Sequence, residues 1–338
     1  MKFLTLLLFL SSLLFGGSSL KIATYNVENL FDLHKNGHEY KEYIPNTRSN
    51  WNKHTYTIKL KHIARVIKDI DADIIALEEI ESIQALKDLR YTLKRMGLYY
   101  QYYKIANSKK TTVKVAILSK IPFSYTREIS VTQSYKYRNI LEAKFNIRGE
   151  KLYLLINHWK SKSGPESMRI VSAKALFKRT QEIGKNKNII ALGDFNSDYE
   201  EYKRFQHSRR LNNTGGITGI NHVLGTINYQ HNATTTNMQA GLFYNLWYDT
   251  TPNERFSYIY HGKKEAMDNI LVSKALLNNK GIEYKEGSIH SFKKPYLFKG
   301  KYIYHWQTSR SKLHYHFGKG YSDHLPVIAE FTIHSDTN

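Results

Sequence analysis

The sequence predicts a mixed α/β (α+β) fold in which mixed β-sheets are covered by helices. Strand–helix–strand units alternate in the first hundred residues, and strands follow one another directly farther along. No linker-like stretch and no internal repeat interrupts residues 20–338, which therefore read as a single domain.

Residues 1–19 read as an export signal. Lys2 supplies the positive start, residues 3–15 form an apolar run broken by Ser11 and Ser12, and residues 16–19 are small, as cleavage requires. The run is too short to span a bilayer. The expectation is an exported mature chain, secreted or periplasmic, without a membrane span.

Residues 21–27 form the first apolar strand. Ile63, Val66, Ile67 and Ile70 recur at helical spacing and lead into a strand over residues 73–77. Ile83, Leu86, Leu93 and Met96 mark a second helix, closed by Gly97. Strands are expected over residues 113–118, 140–147 and 152–156. A helix over residues 168–183 leads into a strand at 188–192, and residues 267–272 and 326–333 complete the set. Residues 206–255, rich in Asn, Thr and Gly, and residues 284–320, basic and aromatic, lack periodicity and read as functional loops or disorder.

Charge narrows the function. Fifty Lys and Arg against 29 Asp and Glu leave a net charge of +21, a field that attracts polyanions: nucleic acid, anionic membrane or acidic polysaccharide. The export segment carries only Lys2, so the excess belongs to the mature chain. The absence of cysteine excludes disulfides, thiolate nucleophiles and Cys-based zinc sites. No heptad pattern points to an oligomer, and a monomer is expected.

Polar residues recur at the ends of apolar strands. They are Asn26 and Glu28, Glu78 and Glu79, Asn157 and His158, Asp194 and Asn196, Asp268 and Asn269, and Asp323 and His324. One such residue is usually a turn or cap; six clusters, one per strand, point to a shared site. Carboxylate and amide oxygens are hard ligands suited to Mg²⁺, Mn²⁺ or Ca²⁺. His158 and His324 can move protons near neutral pH. A hard cation with imidazoles and positive charge meets the needs of phosphodiester hydrolysis, whose transition state gathers negative charge.

At these residues the chain resembles the endonuclease/exonuclease/phosphatase superfamily, the deoxyribonuclease I-like fold. The motifs are TYNVEN at 24–29, LEEI at 77–80, VAILS at 115–119, YRNILEAKF at 137–145, INHWKS at 156–161, GDFNSD at 193–198, MDNILVS at 267–273 and SDHLP at 322–326. Secreted bacterial nucleases are the most similar members, through NHWKSK and the preceding export signal. The resemblance implies a four-layer sandwich of two packed mixed β-sheets flanked by helices. It implies Glu79 as principal metal ligand, with Asn26 and Asp323 as further metal contacts and Asn26 also facing phosphate. Glu78 stands where many relatives have Gln. Arg138 would contact a substrate phosphate, and Asp194 and Asn196 would position water and the scissile phosphate. His158 would meet a nonbridging or leaving oxygen, and Asp268 would hold His324 in the right tautomer. The implied cofactor is a divalent metal of the Mg²⁺ type. Which histidine is acid and which is base stays open.

The superfamily also contains phosphatases and sphingomyelinases, so substrate must be argued from charge and loops. Residues 292–319 interleave aromatics with Lys, Arg and His, a mixture that offers base stacking and phosphate contacts. Lys160, Lys162, Lys203, Arg204, Arg209 and Arg210 follow catalytic motifs. Nucleic acid, DNA or RNA, is the expected substrate. Phospholipid or sphingolipid headgroup cleavage is the alternative, with residues 296–298 and 302–306 as the apolar segments that would enter a bilayer.

Overall fold

The computed structural model describes residues 18–226 and 241–334. Strand β1 (Ser18–Leu30), helix α1 (Lys53–Ile70) and strand β2 (Ile74–Ile80) form a unit whose two strands lie side by side and parallel. Asn52 starts the helix: its side chain accepts the amides of His54 and Thr55, while the Thr55 hydroxyl accepts from the Asn52 amide. This reciprocal cap satisfies donors that a helix start leaves orphaned. Leu60, Ile63, Ile67 and Ile70 then bury one stripe against the sheet. The export segment lies outside the described residues apart from Ser18 and Ser19, which open β1.

Helix α2 (Ile83–Arg95) and strands β3 (Tyr102–Ile105) and β4 (Lys114–Ser119) follow. Next come β5 (Phe123–Ile129), β6 (Ile140–Ile147) and β7 (Glu150–His158). Helix α3 (Glu166–Ile183) carries the chain to β8 (Asn188–Asp194), parallel to β7. The β7–α3–β8 unit thus repeats the β1–α1–β2 unit in the second sheet. The later strands are β9 (Phe243–Asn245), β10 (Tyr258–Tyr260), β11 (Lys263–Glu265), β12 (Asp268–Ser273), β13 (Ile282–Tyr284) and β14 (His290–Ser291). Short β15 (Phe298–Lys299) and β16 (Tyr302–Ile303) precede β17 (Val327–Ile333).

The first sheet runs β13-β17-β1-β2-β4-β3, with β14 on β17; the second runs β5-β6-β7-β8-β12-β9. Alternation explains the layering. Ile22, Ile74 and Ala76 face Leu154, Ile156, Ile190, Leu192 and Ile270 in a core between the sheets. The intervening Ala23, Tyr25, Ile75 and Leu77 face α1 and α2, and Leu155, Ile189 and Ala191 face α3. The order is helices, sheet, sheet, helix, as the family resemblance implies. Among the described residues, no helix is long and apolar enough to cross a membrane.

The structure adds strands that the apolar pattern does not announce. FSYTREI (β5) is an edge strand with no fully buried residue, so only the pairing with β6 reveals it. The basic, aromatic stretch is an ordered wall: Leu297, Ile303 and Trp306 are buried in the core on the α1 side. His316 is fully buried and takes a hydrogen bond from Trp306 Nε1 at 2.9 Å.

Candidate active site

Continuing the strand alternation past its last apolar residue builds the site. On β1 the inward positions run Ile22, Thr24, Asn26; on β2, Ile74, Ala76, Glu78; on β8, Ile190, Leu192, Asp194. Antiparallel β12 starts at the same end with Asp268, directly opposite Asp194. Asn26 lies opposite Glu78 and His158 opposite Asp194. The apolar core between the sheets therefore ends in a polar layer.

Backbone irregularities aim the remaining groups. The β1–β2 and β2–β4 registers shift after Asn26 and Leu77, and Glu28, Asn29 and Glu79 adopt left-handed φ of 50°, 63° and 65°. Such bulges redirect side chains that simple alternation would turn away. Gly193 has φ 129°, and a Cβ there would lie 2.0 Å from the Asn157 carbonyl. The glycine of GDFN is what lets β7 and β8 approach beside His158 and Asp194.

Glu79, Arg138, His158, Asp194, Asn196, Asp323 and His324 line one cavity of about 650 Å³, with Tyr40, Tyr258 and Tyr260 on its walls. His158 Nε2 stands 3.5 Å from Asp194 Oδ2 and 3.8 Å from Glu79 Oε1. Asp194 Oδ2 accepts Asn26 Nδ2 at 3.0 Å and Asn196 Nδ2 at 3.1 Å, while Oδ1 accepts the Asn196 amide at 2.8 Å. Asn26 Oδ1 is occupied by the Glu28 amide, so this asparagine orients a carboxylate by its NH₂ group. The carbonyl of buried Trp159 accepts both Arg138 and Asn196 at 3.3 Å, joining three sequence motifs.

Asp268 is fully buried and its Oδ2 lies 2.7 Å from His324 Nδ1. Ser322 fastens this dyad to β1: its hydroxyl donates to the Asn26 carbonyl at 2.6 Å and accepts the His324 amide at 3.1 Å. The Tyr258 ring packs 4.8 Å from the His324 ring. Ser322, Tyr258, Thr24 and Trp159 are supporting residues that strand-end reasoning passes over, although Ser322 and Trp159 sit inside SDHLP and INHWKS.

The two histidines differ electrostatically. Burial pushes His158 well below the ordinary imidazole range, and the cations Arg138, His324 and Lys160 push the same way. Burial also opposes charge on His324, but Asp268, Asp323 and Asp194 outweigh it and hold the imidazolium well above that range. Burial raises Asp194 to about 7, with repulsion from Asp268 and Glu79 adding to it. Asp323 is raised to about 6 by burial and by Glu28, and Glu79 is raised by burial and by Asp323. Three acids stay above their ordinary range in one cavity even with His324 and Arg138 beside them, and a hard divalent cation would supply further positive charge there. Asp194, Asp268 and His324 also bring ligand atoms within 4.8 Å of one another. Asp268 is engaged by its bond to His324, and the carboxylates Glu79, Asp194 and Asp323 line the cavity beside it.

Glu78 is fully buried; Oε1 accepts the Thr24 hydroxyl at 2.8 Å and, among the described residues, Oε2 has no hydrogen-bond partner. Burial and the neighbouring Asp268 push this carboxyl well above the ordinary range. A neutral amide should therefore replace it readily. Glu78→Gln should keep thermal stability and activity within a few-fold of the parent, whereas Glu78→Ala should lower the melting temperature by opening a cavity between the sheets. A large activity loss in Glu78→Gln with an unchanged melt would show that the charge itself is needed.

A model described as "Endonuclease/Exonuclease/phosphatase family" matches residues 21–215. No curated protein matches the sequence. Among solved structures, D. rerio TDP2 complexed with a single-strand DNA product superposes with a TM-score of 0.57 at 14% identity, covering 93% of this chain and 99% of that one. Truncated Caenorhabditis elegans TDP2 gives 0.55 at 17% identity, covering 94% and 99%. The Bacteroides thetaiotaomicron mannosyl-6-phosphatase gives 0.52 at 15%, covering 93% and 100%. At these identities the likeness is one of fold.

Proposed function

The chain belongs to the endonuclease/exonuclease/phosphatase family, whose members are metal-dependent hydrolases of phosphoester bonds, and from that premise we propose that it is an exported phosphodiesterase that cleaves nucleic acid. The observation that carries the reading is the buried Asp268–His324 pair opening onto the same cavity as His158 and the three raised acids.

Glu79, Asp194 and Asp323 would hold the divalent ion, with Asn26 fixing Asp194 from behind. Mg²⁺ is the preferred ion, with Mn²⁺ or Ca²⁺ as substitutes. When bound, the ion supplies charge stabilisation to the phosphate in the transition state. Asp194 and Asn196 orient the attacking water, whose proton passes to Asp194 as the new P–O bond forms. Arg138 and neutral His158 bind phosphoryl oxygens. The His324 imidazolium, charged through Asp268, gives its proton to the leaving oxygen as the old P–O bond breaks.

Nucleic acid is supported by the +21 charge and by the DNA product in one structural relative. The lipid headgroup alternative loses support, because Leu297, Ile303 and Trp306 are packed into the core and cannot enter a bilayer. Export rests on residues 1–19, of which 1–17 lie outside the described residues, and is part of the same proposal.

The direct test incubates purified protein with plasmid, single-stranded DNA and RNA in Mg²⁺, Mn²⁺ or Ca²⁺. Hydrolysis should appear with metal, vanish with chelator and weaken as salt rises. Release of headgroup from liposomes with all nucleic acids left intact would move the assignment to the lipid reading.

A further inference from the structure

We infer that the far end of the active-site cavity holds a second phosphate subsite, built from Ser161, Ser163 and Arg210, which selects chains carrying a phosphodiester beyond the scissile one. The inference rests on the phosphodiesterase reading above and adds a substrate requirement to it: a polymer or oligomer in preference to a lone diester.

The cavity does not end at the catalytic groups. It continues to the 161–163 loop and to Arg204, Arg210 and Leu211. At about 650 Å³ it lies well within the range of pockets that enclose a ligand far larger than one phosphate. The Ser161 and Ser163 hydroxyls sit 2.7 Å apart on its lining. One hydroxyl donates to the other, which leaves one proton to turn toward an anion, and either serine can supply it.

This loop is held rigidly from beneath. Arg169 is fully buried, pairs with Glu166 at 2.7 Å and donates to the carbonyls of Lys160, Ser161 and Gly164 at 3.2 Å each. Three carbonyls turned inward toward one guanidinium fix the loop, an expensive arrangement for an ordinary surface turn. The Arg210 segment is tied to the same place, through the Glu166 amide on the Leu211 carbonyl at 2.9 Å and the Ser167 amide on Asn213 at 3.1 Å.

The cations at this end are not equivalent. Lys162 is neutralised by Glu201 at 2.9 Å and Glu265 at 3.4 Å, and Arg204 by Asp198 at 2.8 Å. Among the described residues, Arg210 has no carboxylate partner; it donates one bond, to the Ser163 carbonyl at 3.0 Å. That bond sets the guanidinium beside the serine pair with its remaining donors free. A planar cation next to two hydroxyls on a fixed loop matches the oxygens of a phosphodiester.

The test compares the full chain with Arg210→Gln and with Ser161→Ala/Ser163→Ala on two substrates. One is a dinucleoside monophosphate, which has a single phosphodiester; the other is an octanucleotide. Either variant should reduce the ratio of kcat/KM for the octanucleotide to that for the dinucleoside by about tenfold. Arg210→Gln should also lower the salt slope of octanucleotide binding, read by fluorescence anisotropy without metal, by about one. Equal losses on both substrates, or no loss on either, would overturn the subsite. If the parent cleaves neither substrate, the phosphodiesterase reading falls, and anisotropy still judges the subsite: octanucleotide affinity unchanged in Arg210→Gln overturns it. Arg210 is exposed, and a thermal melt guards against misfolding in the serine variant.

Discussion

Replacing Asp268 by Asn should lower kcat on a polynucleotide by roughly 10²–10⁴-fold while the protein stays folded. The substitution keeps the shape of a fully buried side chain but removes the acceptor that faces His324 Nδ1 at 2.7 Å. The amide can present an N–H to that nitrogen and so favour the wrong tautomer. It also withdraws the carboxylate that contributes most to holding the imidazolium above its ordinary range. The proton needed by the leaving group is present below the His324 pKa and lost as pH rises through it. Without Asp268 that loss comes at lower pH, so the alkaline limb of the pH–rate profile should move toward neutrality. A p-nitrophenyl diester, whose leaving group needs little proton help, should suffer far less than the polynucleotide. An alkaline limb that does not move, with equal losses on both substrates, would remove His324 from the role of acid.

Asp194→Asn should abolish turnover, by at least about 10³-fold, and yet stabilise the metal-free protein. Asp194 has a folded pKa of about 7 against an ordinary 3.8, the cost of burial next to Asp268 and Glu79. A carboxyl raised in this way favours the fold when protonated. Its contribution is fully present below about 4 and is lost as pH rises through 7. In chelator at pH 8 the parent therefore carries an uncompensated buried charge that the asparagine variant lacks. The variant should melt a few degrees higher there and should lose most of the upward shift that Mg²⁺ or Mn²⁺ gives the parent. A variant that melts lower in chelator, or that keeps the full metal shift, would place the cation elsewhere in the cavity.

Much of the site was legible in the linear chain because strands write their chemistry at their ends. An apolar run that stops in Asn26, Glu78 or Asp194, or that starts after Asp268, marks both the edge of a core and the start of a polar layer, and the alternation that buries Ile22 and Ile190 also points Asn26 and Asp194 inward. Other parts were illegible for physical reasons. Glu79 stands out in the sequence as a strand-end carboxylate, but that it turns through a left-handed residue in a bulge is something no side-chain pattern encodes. The aromatic and basic residues of 292–319 look alike in sequence, yet Trp306 is fully buried core while Phe317 is half exposed.

Composition, strand and helix periods and the spacing of polar strand ends determined on their own the mixed fold, the positive field and the residue types of a metal-assisted hydrolase. Those properties are local or additive, so one dimension is enough to hold them. Only the tertiary structure decided which histidine carries charge, which acids share one cavity and which arginine at its far end has no carboxylate partner among the described residues. Burial and distance set these energies, and both arise when two sheets close on one another and bring together residues such as Asn26 and Asp194, 168 positions apart.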